Sequence, residues 1–344
     1  MKKNLNTLLF SILAAIYLSA CGAAYKGPVS DHFDGSEFYN PEPSGHSFTD
    51  MLKWFWEMDT VDWPDQIEDP EQPAPPEKVG KGDLRVTFIN HATLLIQMDN
   101  LNILTDPVWS KRVGPTSWLG PERVRAPGVP MENLPRIDYV LISHDHYDHL
   151  DKPTIEKLVR RDSPVFLVGL GVSSHLDDEG ISHIEEMDWW QSFTPGDTDL
   201  TFTFVPARHQ SGRGPFSENA TLWGGYVIES PGGQVYYAGD TAFGKFVRDI
   251  GRRFTRIKLA ILPIGSYEAR WFMKNQHMNP DDAVQAHMIL KAAQSVGMHF
   301  GTFAEHPEQT VDQHEHDLAD ALKKYNIPRS EFRVLQFGEG IFLK

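Results

Sequence analysis

A dense group of histidine and aspartate side chains follows an apolar segment, and it constrains the fold more than any other feature. Shortly after residues 139–142, a run typical of a buried strand, three histidines and two aspartates occupy six consecutive positions. In an extended segment alternate side chains point the same way, so His144 and His146 can share one metal ion. Asp148 and His149 lie past the turn and can reach a second ion, and these ligand types suit zinc or a similar first-row metal. The cluster therefore predicts a metal site at a strand end; the alternative is a solvated polar loop.

Strand-like and helix-like segments alternate from about residue 81 to the end of the chain. Short apolar runs between turn residues predict strands, and longer amphipathic runs predict helices. The helix at 280–295 has the clearest start, because Asn279 can cap it and Pro280 suits its first position. Strands mixed with helices predict one α/β domain over 81–344. The predicted strands are residues 84–89, 93–98, 101–104, 139–142, 165–168, 200–205, 221–228, 235–238, 259–262 and 298–303, and the predicted helices are 154–161, 243–254, 280–295 and 311–325.

The charge and the cysteine content of the chain exclude some function classes. Its 344 residues include 47 Asp and Glu against 32 Lys and Arg, a net charge of −15. A general nucleic-acid binder needs a cationic surface to displace counterions from phosphates, so we expect no nucleic-acid partner. The single cysteine excludes an internal disulfide and a zinc site built from cysteines, which leaves the 15 histidines as the main candidate metal ligands.

The first twenty residues have the pattern of a secretory signal peptide. Two lysines precede an apolar run of 13 residues, shorter than the roughly 20 that a membrane-spanning helix needs. Residues 18–21, Leu-Ser-Ala-Cys, resemble the cleavage box of bacterial lipoproteins. The resemblance implies a signal peptide at 1–20, a lipid-anchored Cys21 and a location in the cell envelope. Gly22 replaces the Asp that often retains such proteins at the inner membrane, so we expect the outer membrane, facing the periplasm. The alternative is an ordinary signal peptide with an incidental cysteine.

Residues 21–80 have the composition of a tether. Recurrent prolines disfavour regular structure there, apart from a short aromatic helix predicted at 48–58. That helix is too short to span a membrane. Two interpretations of it stay open: it packs on the α/β domain, or it lines a groove for lipid entry or touches a membrane surface.

The cluster at the strand end matches the HxHxDH signature of a known superfamily. Through His144, His146, Asp148 and His149 the chain resembles the metallo-β-lactamase superfamily. The resemblance implies a four-layer αββα sandwich that holds two metal ions at one edge of its sheets. The further ligands that it implies are His209 for the first ion, His299 for the second, and Asp240 as the carboxylate that bridges both.

The superfamily resemblance covers roughly residues 81–344, and a narrower resemblance is carried by several motifs within them. It is to the N-acylphosphatidylethanolamine-hydrolysing phospholipase D family, and it implies a metal-dependent phosphodiesterase that acts on phospholipids of that type. The chain departs from the family pattern at Arg208 and Gln210, which flank the third metal histidine, and this departure bears on the shape of the substrate. The motifs that carry the resemblance are residues 90–93, 104–110, 219–225, 262–268, 270–273 and 277–280.

Three further residues have roles that the family implies. Asp106 would orient a ligating imidazole, and an aspartate in a plain turn is the alternative. His91 would lie behind the ligands, and the alternatives are a buried structural histidine and a direct metal ligand. His277 would face the substrate and donate a proton or contact a phosphate, and a plain polar residue near a helix start is the alternative.

Other candidates concern the substrate. Arg208 and Arg213 can pair with a phosphate through their guanidinium groups, or they are surface charges. Tyr267 belongs to one of the family motifs, and we place it near the substrate or behind the ligands.

The implied mechanism uses two divalent ions, with zinc expected and manganese and iron as alternatives. They activate a water between them, Asp240 orients it, and His277 assists the leaving alkoxide. The alternative function is another hydrolase of the same fold, namely a lactonase, a β-lactamase or another phosphodiesterase. A non-catalytic envelope lipoprotein is the second alternative. The sequence does not determine the oligomeric state.

Overall fold

The computed structural model describes residues 25–42, 47–176, 180–196, 198–214, 217–304 and 308–343. The predicted signal peptide at 1–20 and the predicted lipid attachment site Cys21 lie outside these residues. Within them, two sheets of seven strands each form the centre of the molecule.

The first sheet takes six strands from the first half of the domain and one from its C-terminal end. It contains β1 (Leu84–Asn90), β2 (Thr93–Met98), β3 (Leu101–Thr105), β4 (Tyr139–Leu141), β5 (Val165–Gly169), β6 (Ile184–Met187) and β14 (Gly340–Leu343). Their order is β14-β1-β2-β3-β4-β5-β6. Pairing is antiparallel from β14 to β3 and parallel from β3 to β6. Strands β1, β3 and β4 therefore run in the same direction and end at the same edge.

The second sheet is built from the following part of the chain. It contains β7 (Ser192–Phe193), β8 (Thr201–Val205), β9 (Gly225–Ser230), β10 (Gly233–Tyr237), β11 (Ile257–Pro263), β12 (Gln294–Met298) and β13 (Phe332–Arg333). Their order is β13-β12-β11-β10-β9-β8-β7. Pairing is antiparallel from β7 to β10 and parallel from β10 to β13. Strands β8, β10 and β12 therefore also end together.

Six α-helices lie within the described residues, and two of them begin with a capping box. Ser47 with Asp50 and Asn279 with Asp282 exchange side-chain to main-chain hydrogen bonds that satisfy free N–H groups. The cap that we predicted at Asn279 is thus confirmed. The helices are α1 (Phe48–Glu57), α2 (Lys152–Asp162), α3 (Phe246–Arg253), α4 (Arg270–Met273), α5 (Pro280–Leu290) and α6 (Gln313–Tyr325), and short 3-10 helices span Met131–Asn133 and Val172–His175.

Alternate residues of each strand face different layers, and this builds a four-layer sandwich. In β5, Leu167 lies in the core between the sheets, whereas Phe166 packs with Ile155 and Leu158 of α2 on the outer face. Helices α3, α5 and α6 bury apolar side chains, such as Val284, against the second sheet. Each such fully buried aliphatic or aromatic side chain contributes about 1.5–3 kcal/mol. The predicted αββα architecture is confirmed.

Strand β12 and helix α5 differ most from the sequence prediction. The sequence predicts a strand at 298–303, whereas β12 ends at Met298 and the residues after it form a loop. Helix α5 ends at Leu290 because Lys291 adopts a left-handed conformation (φ +51°) that stops the helix. The strand therefore begins within the residues that the helix prediction covers.

The segment predicted as a tether is partly folded onto the domain. Residues 25–42 place Phe33 and Phe38 in the main hydrophobic core, each only 1% exposed. Two buried phenylalanines provide enough apolar surface to hold an irregular segment in place. Residues 25–42 therefore belong to the folded structure.

Helix α1 is amphipathic and is attached to the domain by one face. Trp54 stacks on Phe272 with ring centroids 5.0 Å apart, and its indole nitrogen donates to Glu308 (2.8 Å). On the other face Trp56 is 89% exposed. Packing, the first interpretation, therefore accounts for Trp54, and contact of the exposed face with a membrane stays a prediction. None of the helices in the described ranges has the length and apolar character needed to cross a bilayer.

Candidate metal centre

All candidate ligands lie in loops at one edge of the sandwich. The loops that follow strands running in the same direction lie together at the carboxyl ends of those strands, which is where such folds bind ligands. The two sheets face each other, so the loops of both converge. The loops after β1, β3 and β4 carry His91, Asp106 and residues 144–149, and those after β8, β10 and β12 carry His209, Asp240 and His299.

Unusual backbone conformations turn the chain sharply at this edge. His91, Asp106 and His299 have φ of +46°, +32° and +61°, in a region that costs a non-glycine residue about 1–3 kcal/mol. Gly239 has φ +60°, and a Cβ there would lie 2.6 Å from the Cβ of Ser143. The packed sandwich overrides local backbone preference where the ligands converge.

Three imidazoles form the first group, which we call the three-histidine group. Nε2 of His144 lies 2.8 Å from Nδ1 of His146, and Nε2 of His209 lies 3.4 Å from the same atom. All three ring nitrogens point into one space, as a metal with three imidazole ligands requires.

A carboxylate and three imidazoles form the second group, which we call the mixed group. Oδ2 of Asp148 lies 3.1 Å from Nε2 of His149, 3.4 Å from Nε2 of His299 and 2.8 Å from Nε2 of His91. His91 also packs its ring on that of His299, with centroids 4.0 Å apart. The structure therefore brings His91 within reach of the same space as the three implied ligands.

Asp240 lies between the two groups. Its Oδ2 is 3.0 Å from Nε2 of His299 and 3.3 Å from Nε2 of His149 in the mixed group. The same oxygen is 3.8 Å from Nε2 of His209 in the three-histidine group. One carboxylate therefore faces both groups, as a bridging ligand must.

The charges of the mixed group are strongly coupled. Burial acts to raise the pKa of Asp240, but His149 and His299 outweigh it and hold that pKa well below its usual range. Conversely, burial acts to lower the pKa of His299, but the facing carboxylates outweigh it and raise that pKa to about 10. The carboxylates of Asp148 and Asp240 thus require positive charge beside them, which protons on the imidazoles or a divalent cation can supply.

The three-histidine group behaves differently. Burial, followed by the neighbouring imidazoles, holds the pKa of His144 well below its usual range. Burial lowers the pKa of His209 to about 3. These imidazoles are therefore neutral, and a neutral imidazole has the free lone pair that binds a metal.

Buried atoms without hydrogen bonds indicate that the site fits a divalent cation. Nε2 of His149, Nε2 of His299 and Oδ1 of Asp240 make no hydrogen bond of regular geometry within the described residues, and all three residues are buried. A buried polar atom without a partner costs about 1–3 kcal/mol. Coordination to a cation would satisfy these atoms together. Imidazole and carboxylate ligands suit zinc, and they also accept manganese or iron.

Asp106 lies behind the ligands and is fully buried. Its Oδ2 accepts hydrogen bonds from Nδ1 of His149 (2.6 Å), the Tyr237 hydroxyl (2.6 Å) and the Ser143 hydroxyl (2.5 Å). A carboxylate that accepts from Nδ1 directs the Nε2 lone pair of the imidazole toward the space enclosed by the two ligand groups, which we call the metal space. The structure thus places Asp106 where the predicted orienting role requires it.

The predicted substrate residues are placed in different ways. His277 is 5% exposed, and its Nδ1 lies 3.9 Å from Oδ2 of Asp240, so it borders the metal space. Arg208 directs its guanidinium to the side chain of Asn275 (2.9 Å). The Tyr267 hydroxyl donates to Asp317 of α6.

Arg213 fastens the loop that carries the HxHxDH cluster. Its guanidinium donates to the carbonyls of Asp145 (2.7 Å) and Leu150 (2.9 Å) and lies 3.9 Å from the centre of the Tyr147 ring. These contacts occupy the Arg213 guanidinium, which we considered as a partner for a phosphate. Arg213 therefore supports the loop.

Sequence reasoning missed three residues that support the centre. Ser143 and Tyr237 hold Asp106, and Asn40 binds the main chain of His209. Ser143 directly precedes the HxHxDH cluster, which is the one local signal among them. Asn40 and Tyr237 carry none, because their partners are far away in the chain.

Comparison with known proteins agrees with this geometry. Residues 101–300, more than half of the chain, match the family model described as Beta-lactamase superfamily domain. Among solved structures, the metallo hydrolase Igni18 of Ignicoccus hospitalis superposes with a TM-score of 0.58 at 22% identity, covering 76% of this chain and 99% of that one. At this identity the similarity shows the fold alone.

Two relatives are more similar in sequence. The chain is 43% identical over 231 residues to an uncharacterized protein of Mycobacterium tuberculosis, covering 65% of this chain and 61% of that protein. It is 36% identical over 263 residues to N-acyl-phosphatidylethanolamine-hydrolyzing phospholipase D 1 of Caenorhabditis elegans, covering 74% of this chain and 73% of the nematode protein. The chain therefore belongs to the metallo-β-lactamase superfamily and, within it, to the family of the N-acyl-phosphatidylethanolamine-hydrolyzing phospholipases D.

Proposed function

We propose that this metal-dependent hydrolase is a phosphodiesterase of phospholipase D type, acting on N-acylphosphatidylethanolamine-like lipids. The observation that supports it most is the pair of ligand groups on either side of Asp240, because two-metal phosphodiesterases place their ions on either side of such a bridging carboxylate. The substrate class comes from the name of the nematode relative.

The proposal assigns the ligands to two ions. When bound, a pair of divalent ions lowers the pKa of water and stabilises charge that develops on phosphoryl oxygens. Zinc is the expected metal, with manganese and iron as alternatives. Asp106 keeps His149 in the tautomer whose Nε2 can bind a metal. His144, His146 and His209 would hold the first ion, Asp148, His149 and His299 the second, and Asp240 both.

His277 is our candidate for the proton at the leaving group. In the reaction a water oxygen adds to phosphorus, the bond from phosphorus to the ethanolamine oxygen breaks, and that oxygen must receive a proton. His277 is buried at the border of the metal space, 3.9 Å from Asp240, so it can hold a proton there. The products are phosphatidate and an N-acylethanolamine.

We also propose that the chain is a lipoprotein, anchored through Cys21 in the outer membrane and facing the periplasm. Tyr25, four positions later, packs against the hydrophobic core. Four residues span at most about 14 Å, so an acylated Cys21 would hold the domain against the membrane that contains the substrate. Mass spectrometry of the mature N-terminus tests the acylation, and an unmodified Cys21 would count against it.

The experiment combines turnover with metal analysis on purified protein. We expect hydrolysis of N-acylphosphatidylethanolamine vesicles, two metal equivalents per chain, and loss of turnover in Asp148→Ala and in His209→Ala. His183→Ala is the matched control, because its imidazole is about half exposed and lies outside the centre.

The outcomes separate the alternatives. Undiminished turnover in either ligand variant, with metal content measured, would contradict the dinuclear mechanism. Turnover of a lactone or a β-lactam in place of the lipid would favour another hydrolase of this fold. Absence of bound metal and of all turnover would favour a non-catalytic lipoprotein.

A further inference from the structure

The N-terminal strap, which we define as residues 25–42, reaches the metal centre from outside the predicted hydrolase domain. Its Phe33 and Phe38 are buried, and the ring of Tyr25 packs on both with centroids 5.1 and 5.4 Å away. These apolar contacts hold the strap on the domain independently of its last residues. Asn40 can therefore be changed without removing what attaches the strap.

Asn40 binds the main chain of His209 on both sides of its Cα. Its Nδ2 donates to the His209 carbonyl (2.6 Å), and its Oδ1 accepts from the His209 N–H (3.3 Å). An asparagine amide can make this pair because it carries a donor and an acceptor. The strap touches the same β8–β9 loop again, since the Phe38 N–H donates to the Asn219 carbonyl (2.9 Å). The Tyr25 N–H also donates to the Ala220 carbonyl (3.5 Å), so the strap holds this loop at three points.

The imidazole of His209 is fixed from a different direction. Its Nδ1 donates to the carbonyl of Gln276 (3.0 Å), and this leaves Nε2 directed at Nδ1 of His146 (3.4 Å). With the main chain bound by Asn40 and the ring bound by Gln276, one orientation of the imidazole remains. In that orientation Nε2 completes the three-histidine group.

We infer that Asn40 is a positioning residue of the metal centre, which holds His209 in the orientation that binds the first ion. The inference rests on the proposed function, because it takes His209 to be a metal ligand. It also means that residues 81–344 do not contain the whole site, since the strap supplies part of its support.

Two variants of Asn40 separate positioning from folding. Asn40→Ala removes both hydrogen bonds and leaves the apolar contacts of the strap in place. Asn40→Asp keeps the size and the acceptor but cannot donate, so an oxygen would face the His209 carbonyl. Tyr39→Phe is the matched control on the same strap, because it removes only a hydrogen bond to the Ser30 carbonyl (3.4 Å).

The measurement is zinc affinity by competition with a chromophoric chelator, together with the thermal midpoint of the metal-free protein. We expect both Asn40 variants to bind one of two ions about 10-fold more weakly, the loss typical of residues that orient metal ligands. The second ion should keep its affinity, because the mixed group does not contact the strap residue. Excess zinc should restore turnover in both variants, and Tyr39→Phe should behave as the wild type.

Four results would overturn the inference. Wild-type affinity for both ions in both variants would show that Asn40 does not position His209. An equal loss of affinity for both ions, or loss of fold in both variants, would assign Asn40 a purely structural role. If the wild-type protein bound no metal, the proposed function would fail as well, so the two failures are distinguishable.

Discussion

Replacing Asp106 with Asn tests whether one carboxylate behind the ligands maintains the centre. Asp106 is fully buried and accepts four hydrogen bonds, of which one comes from the Ser143 N–H to Oδ1 (2.7 Å). The other three reach Oδ2 from the Ser143 hydroxyl, the Tyr237 hydroxyl and Nδ1 of His149. Asparagine has the same shape, so packing is retained, but one acceptor becomes an NH2 donor.

The magnitude follows from this arrangement. If the new NH2 group takes the Oδ1 position, the Ser143 N–H loses its acceptor at a cost of about 1–3 kcal/mol. The three hydrogen bonds to the other oxygen also become weaker. A hydrogen bond to a charged group contributes about 1.5–3 kcal/mol and a neutral one about 1 kcal/mol, so each loses about 0.5–2 kcal/mol. Together these losses amount to about 2.5–9 kcal/mol in the free energy of unfolding of the metal-free protein. The weakened hold on His149 should lower metal affinity about 10–100-fold.

Urea denaturation of the metal-free protein and zinc competition with a chelator measure the two effects. Asp199→Asn is the matched control, because Asp199 is exposed and its ion pair with Lys81 (2.8 Å) lies at the surface. Such a surface ion pair contributes at most about 1 kcal/mol. If Asp106→Asn kept wild-type stability and zinc affinity, the reasoning that this carboxylate orients His149 would be refuted.

Three other predictions concern the strap, the Gly239 turn and the metal. Burial acts to lower the pKa of His32, but the hydrogen-bonded carboxylates of Asp188 and Asp31 outweigh it and raise that pKa. The stabilisation that His32 provides is therefore fully present below about pH 6.5 and is lost as the pH rises through the raised folded-state pKa. The difference in unfolding free energy between wild type and His32→Gln, measured by urea denaturation, should therefore shrink as the pH rises above about 6.5. Gly239→Ala should destabilise the protein by about 1–3 kcal/mol or more and abolish zinc binding, because the new alanine Cβ would lie 2.6 Å from the Cβ of Ser143. An unchanged melting curve would contradict this prediction. Chelation should abolish turnover and lower the thermal midpoint. Adding zinc at 1,000 times its dissociation constant should raise the free energy of unfolding by about 4 kcal/mol. A thermal midpoint that does not change with chelator would argue against a bound metal.

Most strands could be predicted because their hydrophobic pattern is local. Strand β2 has the predicted bounds, and β1, β3 and β8 differ from the prediction by one residue at one end. Among the strands that the sequence prediction missed, β14 is apolar but has only four residues, whereas β6, β7 and β13 lack that pattern. β6 has two glutamates in four residues, and β7 and β13 have two residues each, so they exist only through pairing with a neighbour.

Residues around the centre divide in the same way. Spacing along the chain brought His144 and His146 to one side of a loop, and the structure shows their nitrogens 2.8 Å apart. For Arg208 and Tyr267 the sequence left a place near the substrate among the alternatives, and in the structure their polar groups bind Asn275 and Asp317. Position along the chain places a residue near the site, whereas the direction of a side chain depends on what the fold puts beside it.

The sequence by itself determined the alternation of strands and helices and the ligand types at the strand ends, because both follow from neighbouring residues. Only the tertiary structure decided that Asn40 meets His209, 169 positions away, and that Tyr237 meets Asp106, 131 positions away. It also decided the left-handed backbone of His91 and His299, which local preference opposes. These contacts form only when the two sheets pack, since burial of the shared core supplies the free energy that holds the polar edge in place.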